Sequence, residues 1–229
     1  MISVIVTSMD REYLEALLPQ IADSGVSGEP KEIVVCSPYA LSSVTAPASA
    51  SLTWCPDVRP SGHNPAMRKA LPMAKGEVVV ALGDDIKLEP GWLQSSLSML
   101  TKPNRIVAIG FGVRMMVFGY LYANYPLFHR DTALRHWRYF YPYCQSWGDP
   151  SFSLAVWESG GDVVQGTDNP IMCLNRDGHP ETWMKQSRYL KQQDTRMFLD
   201  QHRATADAWM LRNWHLFNHD ERSPQKTTE

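Results

Sequence analysis

The stretch Glu77-Val78-Val79-Val80-Ala81-Leu82-Gly83-Asp84-Asp85-Ile86 limits the possible folds more than any other part of the chain. A strand this apolar is buried on both faces, the condition met in parallel sheets covered by helices on either side. Two adjacent carboxylates at its carboxyl end must sit in water or against cations, because an unpaired charge is not carried into a core. The carboxyl ends of strands are also where open α/β sheets bind ligands. An acid pair there suits a divalent ion shared with a phosphorylated ligand, since magnesium-type ions take few carboxylates and complete their shell with phosphate and water. The same residues also suit a solvated turn in which an Asp caps the next element.

The rest of the first half alternates in the way such a sheet requires. Ile2 to Thr7 is a run of β-branched residues, and Asp10 then opens a helical pattern through Tyr13, Leu14, Leu17, Leu18 and Ile21 that stops near Gly25. Further strands are expected over Glu32–Cys36, Ser51–Cys55 and Glu77–Leu82, with a helix from about Pro65 to Ala74 before the last and Pro72 weakening its final turn. A helix from Pro90 to Leu100 and a strand from Arg105 to Gly112 follow. The expected class is therefore α/β, a doubly wound, mainly parallel sheet flanked by helices.

After residue 112 the pattern loosens. Met115 to Tyr143 is dense in aromatics, His and Arg, which suits either a wall that stacks on flat ligands or an aromatic core, and Leu127-Phe128-His129 reads as a strand. Pro150 to Ser159 reads as a helix ended by Gly160-Gly161, then Asp162–Val164 as a strand. Helical spacing returns over Pro180–Arg203 and Ala204–Phe217, and the polar residues from Asp220 onward read as a disordered tail. The expected division is residues 1–180 as one α/β domain, 181–219 as a C-terminal helical extension and 220–229 as a tail.

A net charge of −2 encodes no global attraction to nucleic acid or anionic lipid, so any phosphate binding has to be local. Cys36, Cys55, Cys144 and Cys173 are widely spaced, with no pair at metal-ligand spacing, and read as reduced thiols. The start lacks a basic leader, and no run approaches the ~20 apolar residues of a membrane span. The expectation is a soluble, cytoplasmic protein.

Three more features point to the acid-bearing edge. Thr7-Ser8-Met9-Asp10-Arg11 follows the first strand, where a nucleotide can rest on the loop before a helix, or where Ser8 or Asp10 can cap it. Gly62-His63-Asn64-Pro65-Ala66-Met67-Arg68-Lys69 brings two cations into the early turns of a helix. Cations there oppose the macrodipole, so a diphosphate neighbour would account for them, as would a solvated face. In Trp147-Gly148-Asp149-Pro150, an acid at a helix mouth suits either an N-cap or a general base that accepts the proton of a hydroxyl.

In this order, with Gly76-Glu77 before the apolar strand, Pro90-Gly91-Trp92-Leu93 after the acids and Gly160-Gly161 closing the later helix, the motifs resemble the inverting glycosyltransferases of family 2, which have the GT-A fold. The resemblance spans about residues 1 to 165. It implies transfer of a sugar from a UDP-, GDP- or dTDP-linked donor to a glycan or other hydroxyl acceptor, with Mn2+ or Mg2+ as cofactor. By the same resemblance, Asp85 matches the last acid of an Asp-x-Asp motif and would hold the cation. Asp84 would touch the ribose or the metal shell, Asp149 would be the catalytic base, and Arg68 would lie near the diphosphate. Thr7, Ser8, Asp10 and Arg11 would line the nucleotide site. Gly83 stands where the first acid is usual, and Cys36-Ser37-Pro38 replaces an acid-rich strand end, leaving Asp57 to read the base edge. His179 lies where some GT-A enzymes place a later metal ligand, and a surface or capping role is its alternative. A homo-oligomer is compatible with the C-terminal segment. A sugar nucleotidyltransferase shares the architecture but would carry a Gly-rich loop after the first strand, which Thr7-Ser8-Met9-Asp10-Arg11 lacks. A non-catalytic sugar- or nucleotide-binding module of the same fold is the remaining alternative.

Overall fold

The computed structural model describes residues 1–26, 31–42, 44–59, 62–110, 116–136, 143, 147–166, 171–173 and 192–213. Seven strands form the main sheet: β1 (Ile2–Thr7), β2 (Lys31–Ser37), β3 (Ala50–Pro56), β4 (Val78–Gly83), β6 (Arg105–Ala108), β9 (Pro126–His129) and β10 (Asp162–Gln165). Their order across the sheet is β10-β6-β9-β4-β1-β2-β3. All neighbours are parallel except β9, which runs antiparallel between β4 and β6. Two small antiparallel ribbons join β5 (Ile86–Leu88) to β11 (Ile171–Cys173) and β7 (Met116–Val117) to β8 (Tyr120–Leu121).

Side-chain alternation explains why the strands read as unbroken apolar runs. Val4, Val6, Ile33, Val35, Val80 and Leu82 point to one face, where Leu14, Leu17, Leu18 and Ile21 of α1 (Arg11–Ala22) and Trp92 and Leu93 cover them. Ile5, Val34, Cys36, Val79 and Ala81 point to the other. There they meet Ala66, Met67 and Ala70 of α2 (His63–Ala70) and Phe152 and Val156 of α5 (Gly148–Glu158). Both faces are buried, so period two carries no polar alternation.

Register is pinned at the edge where the strands begin. Glu32 Oε2 accepts from Ser3 Oγ (2.7 Å) and the Lys75 amide (2.8 Å), while the Gly76 amide donates to Ser3 Oγ (2.8 Å). A Cβ on Gly76 would lie 2.6 Å from the Ser3 nitrogen, so the glycine is what lets the chain entering β4 pass this close to β1.

Several boundaries differ from the sequence expectation. The helix expected over Pro90–Leu100 is a turn followed by a short α3 (Gln94–Met99), because Gly91, at φ +75°, breaks the first turn. The strand expected to reach Gly112 ends at Ala108. The Pro65–Ala74 helix begins earlier, at His63, and changes at Pro72 into a 3-10 turn over Leu71–Met73. A helix over residues 192–201 (α6) and α7 (Arg203–Arg212) fall within the expected helical spacing, with α4 (Arg130–His136) added before α5. The parts of the expected helices over 180–191 and 214–217, the tail and His179 lie outside the described residues. Among the described residues no helix is long and apolar enough to cross a membrane.

Candidate active site

From β1 the chain steps to β2 and β3 on one side, and β4 then lies on the other side of β1. That reversal is a topological switch point, which opens a crevice at the carboxyl ends of β1 and β4. In register there, Thr7 faces Gly83. The loops after these strands, Ser8-Met9-Asp10 and Asp84-Asp85, therefore meet.

Asp84 holds the first loop. Its side chain is 4% exposed, and Oδ2 accepts from Ser8 Oγ (2.8 Å), the Met9 amide (2.9 Å) and the Asp10 amide (3.0 Å). Asp10 is the N-cap of α1, with Oδ1 accepting from the amides of Glu12 and Tyr13. Ser8 also bonds the Tyr39 hydroxyl, and Arg11 lies 6.0 Å from the Tyr39 ring centre while pairing with Glu15 at 3.4 Å. Burial pushes the Tyr39 hydroxyl up to about 12, so it stays protonated and available as a donor. Asp57, at the end of β3, is buried in an ion pair with Lys69 of α2. Arg68, its neighbour, is partly buried on the same helix. Behind this pair, Cys36 and Cys55 face each other across β2 and β3 as free, buried thiols whose ionisation burial opposes.

Asp85 is partly buried at the crest. Its carboxylate leans back over Gly83, where a Cβ would stand 2.8 Å from Oδ1. A larger residue at 83 would push this acid away. Beside it, His63 Nδ1 bonds Thr7 Oγ1 at 2.7 Å. Burial holds the His63 pKa below its ordinary value, against the pull of the Asp85 and Asp84 charges.

The first residues of α2 link this crest to the helix that carries Asp149. His63 touches β1, and the next residue, Asn64, packs so tightly on Gly148 that a Cβ at 148 would overlap its amide. Asp149 is not the N-cap of α5, the structural role open to it in the sequence. The helix starts two residues earlier than expected, at Gly148, with Trp147 as a cap at φ 66° that supplies no side-chain acceptor. Asp149 thus stands in the first turn and has no hydrogen-bond partner among the described residues. Burial raises its pKa to about 7, and its charge in turn helps raise that of Tyr122. A carboxylate at that value is matched to proton exchange near neutrality.

Trp147 is held from outside the sheet. Its ring stacks on Phe198 of α6, with centroids 4.4 Å apart, and its Nε1 donates to Thr195 at 2.8 Å. The buried His202 between α6 and α7 bonds Ser151 of α5 at 2.8 Å through Nε2 and faces Glu158 at 3.3 Å through Nδ1. The aromatics expected to form either a ligand wall or a core include Tyr120, Tyr122 and Tyr143, which pack with Val117, Leu154 and Phe198 in a separate cluster.

No protein-family model and no curated protein matches the sequence. Solved structures do. TarS of S. aureus, residues 1–349 in complex with UDP-GlcNAc, superposes with a TM-score of 0.59 at 14% identity, over 78% of this chain and 59% of that one. The mannosyltransferase PcManGT of Pyrobaculum calidifontis, in complex with GDP-Man and Mn2+, gives 0.59 at 17% identity over 80% and 59%. Glucosyl-3-phosphoglycerate synthase of Mycobacterium tuberculosis, in complex with Mn2+, UDP and phosphoglyceric acid, gives 0.56 at 17% over 82% and 74%. The fold is GT-A. The chain spans about three fifths of the length of the first two of these structures.

A divalent ion fits the crest in a restricted way. Among the described residues no three His, Cys, Asp or Glu side chains group as a metal cage, and Asp84 Oδ2 is committed to the first loop. Asp85 could serve as an oxygen ligand at the crest, and the rest of the shell would then come from ligand and water oxygens, as hard cations tolerate. His63, Asn64 and Tyr39 stand out only in the structure. Their signals in the sequence are slight: a His directly after the glycine that opens α2, and a Tyr two residues past β2.

Proposed function

We propose that the chain is a glycosyltransferase that moves a sugar from a nucleotide-sugar donor to a hydroxyl acceptor with inversion, aided by a divalent cation. The observation that carries this reading is Asp149: a carboxylate with a pKa near 7 and no hydrogen-bond partner among the described residues, in the first turn of α5, whose Gly148 packs on Asn64 next to His63 at the crest. The GT-A fold supports it, and the similar structures hold UDP-GlcNAc, GDP-Man or UDP.

In this reading the loop after β1, organised by Asp84, receives the nucleoside, with Tyr39 and Arg11 beside it and the Asp57–Lys69 pair at the base edge. Arg68 and the start of α2 lie toward the diphosphate. Asp85 would hold Mn2+ or Mg2+, which supplies charge neutralisation for the departing diphosphate. Asp149 takes the acceptor hydroxyl proton as the new bond forms on the face opposite the leaving group. One base, with no second carboxylate seen beside it among the described residues, favours a single displacement, hence inversion. His179 is proposed as a further ligand from the resemblance alone.

The test is release of nucleoside diphosphate from a panel of UDP-, GDP- and dTDP-sugars with Mn2+, by the native protein and Asp85→Ala. Release that needs both the metal and Asp85 is expected. A nucleotide sugar that binds with no release under any acceptor condition would make the chain a binding module, and pyrophosphate-coupled synthesis of the donor would make it a nucleotidyltransferase.

A further inference from the structure

The crest has one acid fewer than a two-carboxylate clamp, because Gly83 carries no side chain, yet a nitrogen donor is built in beside it. His63 is the first residue of α2, and its Nδ1 lies 2.7 Å from Thr7 Oγ1. Thr7 is the register partner of Gly83, and Asp85 Oδ1 leans over Gly83 to within 2.8 Å of a built Cβ. Imidazole and carboxylate therefore flank the same end of two adjacent strands, whose backbones in a parallel pair are about 4.8 Å apart. Building on the cation dependence proposed above, we infer that His63 Nε2 is a second protein ligand of the cation held by Asp85, standing in for the acid that Gly83 omits.

The hydrogen-bond pattern is compatible with a free lone pair on the outer nitrogen. The Thr7 hydroxyl has the Leu82 carbonyl as an acceptor at 3.5 Å. With its proton there, Thr7 Oγ1 accepts from Nδ1–H, and the lone pair falls on Nε2. This is the arrangement by which an outer hydrogen bond sets the tautomer and direction of a metal-ligating histidine. A mixed nitrogen and oxygen set also changes preference among metals: imidazole binds Mn2+ and later first-row ions better than Mg2+. Gly83 has a part as well, since a side chain there would displace Asp85.

The experiment is pulsed electron paramagnetic resonance of Mn2+ bound to the full chain with inorganic pyrophosphate, a probe that contains no nitrogen. A 14N coupling of the imidazole type is expected in the native protein. It should vanish in His63→Asn, whose amide N–H can still donate to Thr7 and preserve the fold, with Mn2+ binding weakened about 10-fold or more. Mn2+ bound through Asp85 without nitrogen coupling, or a coupling that survives in His63→Asn, overturns the inference and leaves the transferase reading standing. No Mn2+ uptake by the native protein, together with no metal-dependent release of diphosphate, overturns both. Because His179 would give the same signal if it ligates, the comparison is made in His179→Asn, whose spectrum with His63 intact decides the matter even if the His63 variant unfolds.

Discussion

Replacing Asp149 by Asn should make the protein more stable in alkaline solution while disabling it. Burial moves the Asp149 carboxyl from its ordinary 3.8 to about 7. The folded state therefore holds this proton more tightly than the unfolded chain does, and the resulting stability is fully present below about pH 4 and lost as pH rises to 7. A displacement of about three pH units corresponds to about 4 kcal/mol at ~1.4 kcal/mol per unit. Asp149 keeps part of its surface in solvent, and the amide end of α5 favours the anion by ~0.3–1 kcal/mol, so the realised difference is at most roughly 3 kcal/mol. Asn keeps the shape and never ionises. Urea unfolding of the two proteins should thus agree near pH 4, diverge by up to ~1.4 kcal/mol per pH unit, and reach a plateau near pH 7 with the variant at most about 3 kcal/mol ahead. On the proposed function, turnover by the native protein should rise with pH toward 7 as the base ionises, and in the variant it should fall by ~10²–10⁴. A stability difference that is flat between pH 4 and 8 would refute the raised pKa of this partly buried carboxyl. Normal turnover in a folded variant would refute its role as base.

Two substitutions test the supports of the site. Asp84→Ala leaves the Ser8 hydroxyl and the Met9 and Asp10 amides without their shared acceptor, and should cost about 2–4 kcal/mol in urea unfolding, with Asp84→Asn recovering most of it. Gly148→Ala drives a methyl into the Asn64 amide and should cost about 1–3 kcal/mol. Adding Asn64→Ala should relieve that loss, a non-additivity that a double-mutant cycle reads directly.

Much of the architecture was legible in the chain because burial on both faces writes a continuous apolar run. Ile2–Thr7, Lys31–Ser37 and Val78–Gly83 are visible for that reason, and so is the N-cap Asp10 before the Leu14, Leu17, Leu18 and Ile21 stripe. Short elements were not. The two-residue strands Met116–Val117 and Tyr120–Leu121 are too brief for any period to register, and strand direction leaves no trace in composition, so the antiparallel insertion of Pro126–His129 is absent from the pattern. At the site the difference is sharper. Acids at the end of a buried strand announce a ligand edge by themselves, since charge there has nowhere else to go. Which acid does what depends on neighbours far along the chain: Asp84 is turned inward by three donors from the first loop, while Asp85 is left at the crest by Gly83. From the residues alone Asp149 reads first as a helix cap, whereas in the structure the helix starts at Gly148, which packs closely on Asn64, and Trp147 is the cap. The sequence alone determined which segments are buried and where charge must surface, because hydrophobic periodicity and the cost of an unpaired charge are local properties of the chain. Only the tertiary structure decided the pairing of His63 with Thr7, the burial that lifts the pKa of Asp149, and the crevice between β1 and β4. The first and last of these arise from segments more than fifty residues apart, brought together by a strand order that no local pattern encodes.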